Sequence, residues 1–486
     1  MKMKRLLSLA LAILMIFVLV GCGEKGRQIV HVTLAAEDAE AILAAAGIQL
    51  PDAETAAGAG TTVRYFSWYD GFHNYDEDEI VNTGYFTFTE KYGGEVDWIE
   101  CDYGTRFDEL ATLVLSNDPP DLYPAGTSAT ATYPMKCINN VFQPVDDYID
   151  YDNPLWADTK EVADTFSFAD MHFTIVTDTT FKDVVAYNRR VVEEWGFDDP
   201  AELYLNDEWT WQVFYEYCVG FSDEDENRFA LDGQTYTNSL VQATGQNFVH
   251  RDEEGRYYSN LDSPEIERAE QMLYDLTKNG CTYHEGNDYW AMRNDVYGGG
   301  MKEGLCLFYI AETSFFTGTI EEISAVWGDV ANNELMFAPL PRDEAGDGNY
   351  YLITQIVGYM LVNGATNPEG AALLASCERF KILDPTVADI DRKQLEEKYM
   401  WTAEMLEMYD TCKEIADAHP RAIVTGDMTD NINSMVSTFQ YGPCRSADPS
   451  TWAQVKEEYR EALDYYLLEI NSMLDEYVLE HQSAQE

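Results

Sequence analysis

Trp68-Tyr69-Asp70 sets two aromatic rings beside a carboxylate at the end of the β-like run that begins at Val63. Rings cover the C–H faces of a polyol, while carboxylates and amides engage its hydroxyl rim. That is the chemistry of grip, not of bond cleavage. The chain is well supplied for it, with 32 Tyr, 22 Phe and 10 Trp. Catalytic motifs are missing from the sequence: there is no G-x-S-x-G elbow, no G-x-x-x-x-G-K-[ST] loop, no H-E-x-x-H and no G-x-G-x-x-G. Gly298-Gly299-Gly300 has no Lys-Ser/Thr after it and reads as a turn. Glycoside hydrolysis needs two carboxylates at a set separation, but among 87 Asp and Glu a neighbouring pair such as Glu193-Glu194 carries no information. Asp223–Asn227 alternates oxygen donors as a calcium loop begins. Arg228 then stands where glycine is expected and Gln234 where a bidentate Glu would sit, so the stretch reads as a solvated acidic loop. The seven histidines are isolated. No metal and no cofactor is expected.

The start of the chain decides where these residues work. Lys2, Lys4 and Arg5 precede an apolar run from Leu6 to Val20, relieved only by Ser8. This is the pattern of an export signal, and it is short against the ~20 residues that span a bilayer. Leu19-Val20-Gly21-Cys22 resembles a bacterial lipobox, which implies a signal peptide over 1–21 and Cys22 acylated as the mature N-terminus. Residues 22–61 are rich in Gly and Ala and read as a flexible tether. The expected location is the extracellular face of the cell membrane, through the lipid.

A chain of 486 residues with 46% apolar residues has ample material for a folded body, either about three units or two large interleaved lobes. A net charge of −56 argues against nucleic acid as a partner, because phosphate attraction is absent. Besides Cys22 there are eight cysteines, none in a C-x-x-C pair; buried free thiols, with one or two bridges at most, are expected.

From Val63 the chain alternates. A strand over 63–68 is followed by a helix over 80–92, a strand over 95–100, a helix over 106–116 with Phe107, Leu110, Leu113 and Val114 at helical spacing, and a strand from Asp121. That rhythm predicts an α/β sheet with crossover helices. Ligands of such sheets collect at the carboxyl ends of strands, here Trp68-Tyr69 and Gly126-Thr127-Ser128. Residues 451–480 carry Trp452, Val455, Tyr459, Leu463, Tyr466 and Leu467 on one side of a long predicted helix.

"LVLSNDPPDLYPAGT", "VFQPVDDYID", "VVAYNRRVVEEWGFDDPAE", "EWTWQVFYEYC", "MKEGLCLFYIAETSFF", "MFAPLPRDEAG" and "IVGYMLVNGATNPEGAALLASCERF" occur in an order that resembles the bacterial extracellular solute-binding proteins of the sugar-binding type, the receptors of ABC importers. The resemblance runs from about Val63 to the C-terminus. It implies an α/β fold of two lobes, the type II arrangement of periplasmic binding proteins, each a mixed sheet flanked by helices, with 62–180 plus 349–392 in one lobe and 181–348 plus 393–486 in the other. It further implies a carbohydrate ligand, with an oligosaccharide favoured, ABC permease subunits as partners, a monomer, and Tyr236, Gln242, Glu312, Phe315 and Tyr359 as ligand contacts beside Trp68, Tyr69 and Asp70. The chain departs from the pattern where relatives carry a stacking Trp, since Ser314 stands there with Phe315 and Phe316 beside it. Two other classes stand as alternatives: a secreted carbohydrate-active enzyme, which would share the acid-rich, aromatic-rich composition, and an adhesin or sensor on the same fold.

Overall fold

The computed structural model describes residues 41–52, 62–73, 83–126, 133–233, 235–252, 255–282, 300–420, 428–444 and 448–485. Thirteen strands are named in chain order. They are β1 (Thr62–Ser67), β2 (Glu95–Glu100), β3 (Leu122–Ala125), β4 (Ser167–Phe168), β5 (Met171–His172), β6 (Ile175–Phe181), β7 (Val184–Asn188), β8 (Phe229–Gly233), β9 (Val249–Arg251), β10 (Tyr257–Ser259), β11 (Cys306–Ala311), β12 (Leu335–Ala338) and β13 (Thr354–Leu361). Two mixed sheets carry the molecule, one ordered β2-β1-β3-β13-β6 and the other β12-β7-β11-β8, with two small hairpins, β4–β5 and β9–β10.

The alternation expected from Val63 onward is present. Helices Thr83–Tyr92 and Arg106–Leu115 connect the parallel strands β1, β2 and β3. Asp121 holds the start of this lobe together. Its buried carboxylate accepts from Arg64 N at 2.8 Å on one oxygen and from Asn367 N at 2.8 Å on the other. One side chain thereby ties β1, β3 and the N-terminus of helix Pro368–Ile382. Helix starts follow the capping rules. Thr210 accepts from Val213 N, and Ser263 from Ile266 N with Pro264 at the first helical position. The predicted C-terminal helix spans Trp452–Gln485.

Each sheet points toward the place where the chain passes between them. β6 ends at Phe181, Lys182-Asp183 follows, and β7 begins the second sheet. The return segment pairs with it, Lys182 N donating to Ile353 O at 3.0 Å. β13 is antiparallel to both β3 and β6, so β1, β3 and β6 all end on the crossover side. β7 is antiparallel to β11, which is parallel to β8, so β8 and β11 end there too. Gly358 lies at a bulge in the β13–β6 pairing, where a Cβ would stand 1.9 Å from Ile175 O; no other residue fits. Helix Ala403–Ala418 braces the crossover. Glu404 pairs with Arg189 of the second sheet's side, and Lys413 Nζ donates to Thr179 O of β6 at 2.9 Å.

The eight cysteines among the described residues are all buried and free, so no bridge forms between them. Burial raises the Cys101 and Cys281 thiols to about 11 and pushes Cys137, Cys218 and Cys306 well above their usual value. Thiolate is the reactive form. These eight are expected to be silent toward a thiol reagent at pH 8 in the native protein and to titrate fully in denaturant, by absorbance at one endpoint.

The acidic stretch at Asp223 is a short 3-10 turn closed on itself. Asp223 Oδ1 accepts from Asp225 N and its Oδ2 meets Arg228 Nη2 at 3.2 Å. The Arg at the expected glycine position neutralises the first carboxylate instead of leaving it for a cation. Among the described residues no cluster of His, Cys, Asp and Glu has the form of a metal site.

Candidate functional site

β1 delivers Trp68 and Tyr69 to the crossover edge of the first sheet. Their rings meet at 5.4 Å and 67°. β2, which runs parallel beside it, delivers Tyr103 to the same edge, and that ring meets Trp68 at 5.1 Å and 82°. Tyr69 is 47% exposed and Tyr103 55%, so three aromatic side chains form one open ledge. The Arg106 guanidinium lies beneath it, 4.0 Å from the Tyr103 ring centroid and 5.7 Å from that of Trp68. Arg106 is 8% exposed and donates through Nε to the Tyr123 hydroxyl at 3.1 Å and through Nη1 to Tyr103 O. A buried cation against ring faces is an attractive contact, and it holds the ledge at a fixed height.

The loop after Tyr69 is built by Asp70. Its Oδ1 accepts from Phe72 N and His73 N, both at 3.0 Å, and both oxygens meet His73 Nδ1 at 3.1 Å. His73 Nε2 in turn meets the Tyr85 hydroxyl at 3.2 Å. Asp70 therefore shapes the loop, and its carboxylate is not held out for a ligand. Gly126 follows β3 directly, at the same edge. Thr127 and Ser128 lie outside the described residues. Tyr359 sits mid-strand in β13, its ring 6.2 Å from Tyr65 and 6.3 Å from Phe72. Burial raises its phenol well above the usual range, with Glu378 adding to the effect. It supports the ledge from within the lobe.

The second sheet contributes polar groups at its own crossover edge. Asp183 is buried, and its Oδ2 accepts from the Ser239 hydroxyl at 2.5 Å. This ties the crossover to helix Tyr236–Gln242. Glu312 follows β11 and is half-buried. Burial pushes its carboxyl up, nearby Lys182 pulls it down, and Asp183 adds to the rise. Among the described residues the Lys182 ammonium makes no ion pair; half-buried next to Asp183 in the chain, it draws down the carboxyls of both Asp183 and Glu312 against the effect of burial. Tyr236 and Gln242 are placed differently from the sequence expectation: both are buried, at 0% and 3% exposure, because their helix is enclosed on all sides. Phe315 packs in the turn Thr313–Phe316 against the core.

The expected residues that the fold brings together are thus Trp68 and Tyr69, with Gly126 at the same edge and Glu312 across the crossover. Tyr103, Arg106, Lys182 and Asp183 were missed. Tyr103 could have been found, since it follows β2 much as Trp68 follows β1. A charged Lys-Asp pair between two apolar β runs was likewise a visible sign of a crossover.

Two α/β lobes joined by crossing segments, with open side chains at the joined edges, define a two-lobed binding protein of the periplasmic type. The family model for bacterial extracellular solute-binding protein matches residues 86–377, more than half of the chain, and the protein belongs to that family. Solved structures agree in fold. A solute-binding protein of an ABC transporter from Thermotoga lettingae, bound with α-D-tagatose, is 18% identical with a TM-score of 0.53 over 85% of this chain and 99% of that one. An ABC substrate-binding protein from Listeria monocytogenes in complex with cycloalternan is 14% identical, with a TM-score of 0.55 over 84% and 99%. Maltose-bound MalE3 of T. maritima is 15% identical, with a TM-score of 0.54 over 83% and 100%. A search of curated proteins finds no match.

Proposed function

We propose that this protein captures a carbohydrate, an oligosaccharide in preference to a single sugar, between its two lobes and delivers it to ABC permease subunits. The observation that carries this reading is the open run of rings Tyr69, Trp68 and Tyr103 at the crossover edge of the first sheet. Three adjoining rings offer more C–H contact than one pyranose can cover. Glu312 and Lys182 at the other sheet's edge would take hydroxyl groups. The sugars bound by the solved neighbours support the same class. Closure follows from differential affinity, because a ligand touching both lobes stabilises only the closed form. No substrate bond is broken in this scheme. The lobes would be 62–180 with 349–392 and 181–348 with 393–486, and a monomer would hang from acylated Cys22 by the 22–61 tether on the outer face of the membrane.

The test is thermal denaturation of the purified protein across a carbohydrate library, with each sugar far above its dissociation constant. Linkage gives about 2.7 kcal/mol at a hundredfold excess, so a rise of several degrees with one glycan class is the expected result. No shift with any carbohydrate would overturn the ligand class. Cleaved product after incubation would make the protein an enzyme.

A further inference from the structure

Residues 41–52 fall inside the stretch whose composition reads as a tether, yet they pack on the folded body. A helical turn over 41–45 is closed by Gly47, which takes the left-handed conformation at φ +80°. Ile48 N donates to Leu43 O at 2.9 Å, and Gly47 N to Ala44 O at 3.0 Å. That pair of bonds is the glycine-terminated helix stop, in which the apolar residues on either side, here Leu43 and Ile48, come together. Leu43 is buried in the core, and Ile48 and Leu50 pack half-buried against it. Ala44, Ala45 and Ala46 face solvent.

The footing of this segment is firm. From the last residue of helix Thr83–Tyr92, the Tyr92 hydroxyl donates to Pro51 O at 2.6 Å. At the other end, a Cβ on Gly47 would stand 3.9 Å from Pro154 Cγ, at the start of the 3-10 turn Pro154–Trp156. Leu155 O of that turn accepts from Arg379 Nε at 3.0 Å. Helix Pro368–Ile382, which carries Arg379, packs on helix Thr83–Tyr92 as well. The segment therefore bridges two elements of the first lobe that a third already holds in place.

Charge makes this placement matter. A body with a net charge of −56 is not drawn to an anionic membrane surface, so a leash alone sets its distance. Between Cys22 and Thr62 lie 39 residues. A flexible chain of that length has a root-mean-square reach of about 31–37 Å. If the chain is docked from residue 41, only 18 residues, 23–40, remain as leash. Their reach is about 21–25 Å.

We propose that residues 41–52 are a clip that shortens the lipid leash to residues 23–40 and keeps the first lobe close to the membrane. The inference rests on the lipid-anchored capture reading above. Effective concentration at a membrane partner falls roughly as the −3/2 power of leash length, so the clip raises it about threefold.

The full mature chain is compared with Leu43→Asp, or with Tyr92→Phe as the milder variant should aspartate fail to fold. Hydrogen exchange by mass spectrometry reads the clip. In the parent, amides over 43–52 are expected to exchange at least about tenfold more slowly than in an unfolded chain, and the variant loses this protection. Energy transfer reads the leash. A donor dye on Leu115→Cys, an exposed position in a protein whose eight described cysteines are buried, faces acceptor lipids in phosphatidylcholine–phosphatidylglycerol vesicles. Transfer is expected to be lower in the released variant than in the parent. Fast exchange over 43–52 in the parent, protection that survives the substitution, or transfer that release leaves unchanged overturns the proposal. If the protein does not join the vesicles, the lipid anchor has failed and exchange alone decides whether the clip is docked: slow exchange supports it, and fast exchange ends it.

Discussion

Trp68→Ala is expected to weaken carbohydrate binding by about ten- to a hundredfold, or roughly 1.4–2.8 kcal/mol. Trp68 is the centre of the ledge, in edge contact with Tyr69 on one side and Tyr103 on the other, and its removal breaks the run into two separate rings. The loss has two parts. One is the apolar area a sugar face no longer covers; the other is the support Trp68 gives its neighbours. The fold should survive, because the interior of this lobe rests on Val63, Tyr65 and Phe66 of β1, all fully buried, whereas Trp68 is only partly so. Calorimetric titration with whichever sugar stabilises the parent protein checks the loss, and the sugar-free melting temperature of the variant separates a binding defect from a folding one. Affinity kept within a factor of two would show that the ledge is not where the sugar rests.

The strand and helix rhythm from Val63 to Ala125 was legible because the helices bury one face at helical spacing, the strands are short apolar runs, and the stops are clear, such as Asn117-Asp118-Pro119-Pro120 before β3. The ledge was half legible. Trp68 and Tyr69 follow a visible strand, but Tyr103 joins them only through the parallel pairing of β1 with β2, a contact between residues some thirty-five positions apart that no local pattern encodes. Arg106 needs that pairing as well. The buried positions misled for a different reason. Tyr and Gln are residues that bind sugars, and they are also residues that fill helices packed on every side, as Tyr236 and Gln242 do. Asp70 shows the same ambiguity in a loop. A short turn leaves backbone N–H groups in need of an acceptor, and the nearest carboxylate met that need before any ligand could. Residue type states what a group can do; only packing states which of its tasks is already filled.

Glu270 is the clearest case of a group with no task in the proposed function. It lies in helix Pro264–Lys278 with 0% exposure, and neither carboxyl oxygen has a hydrogen-bond partner among the described residues. Burial alone raises its carboxyl well above the usual range. The sign follows directly. The folded state keeps the proton where the unfolded chain, with an ordinary value near 4.5, has released it. Between those two values the folded state binds more protons, so stability falls as pH rises. The contribution is complete below about pH 4.5 and is lost through the raised folded value. Glu270→Met keeps an unbranched chain of similar length and removes both polar oxygens. It is expected to raise the unfolding free energy at pH 7–8 by about 1–3 kcal/mol, the cost of a buried polar group without partners. Denaturant melts from pH 4 to 8 check both statements. The variant should gain least at the acid end, where only an unpaired neutral carboxyl is removed, and progressively more toward neutrality. A gain that is constant across that range would mean that the carboxyl does not titrate between its folded and unfolded forms, and a loss at every pH would mean that its oxygens are satisfied in solution.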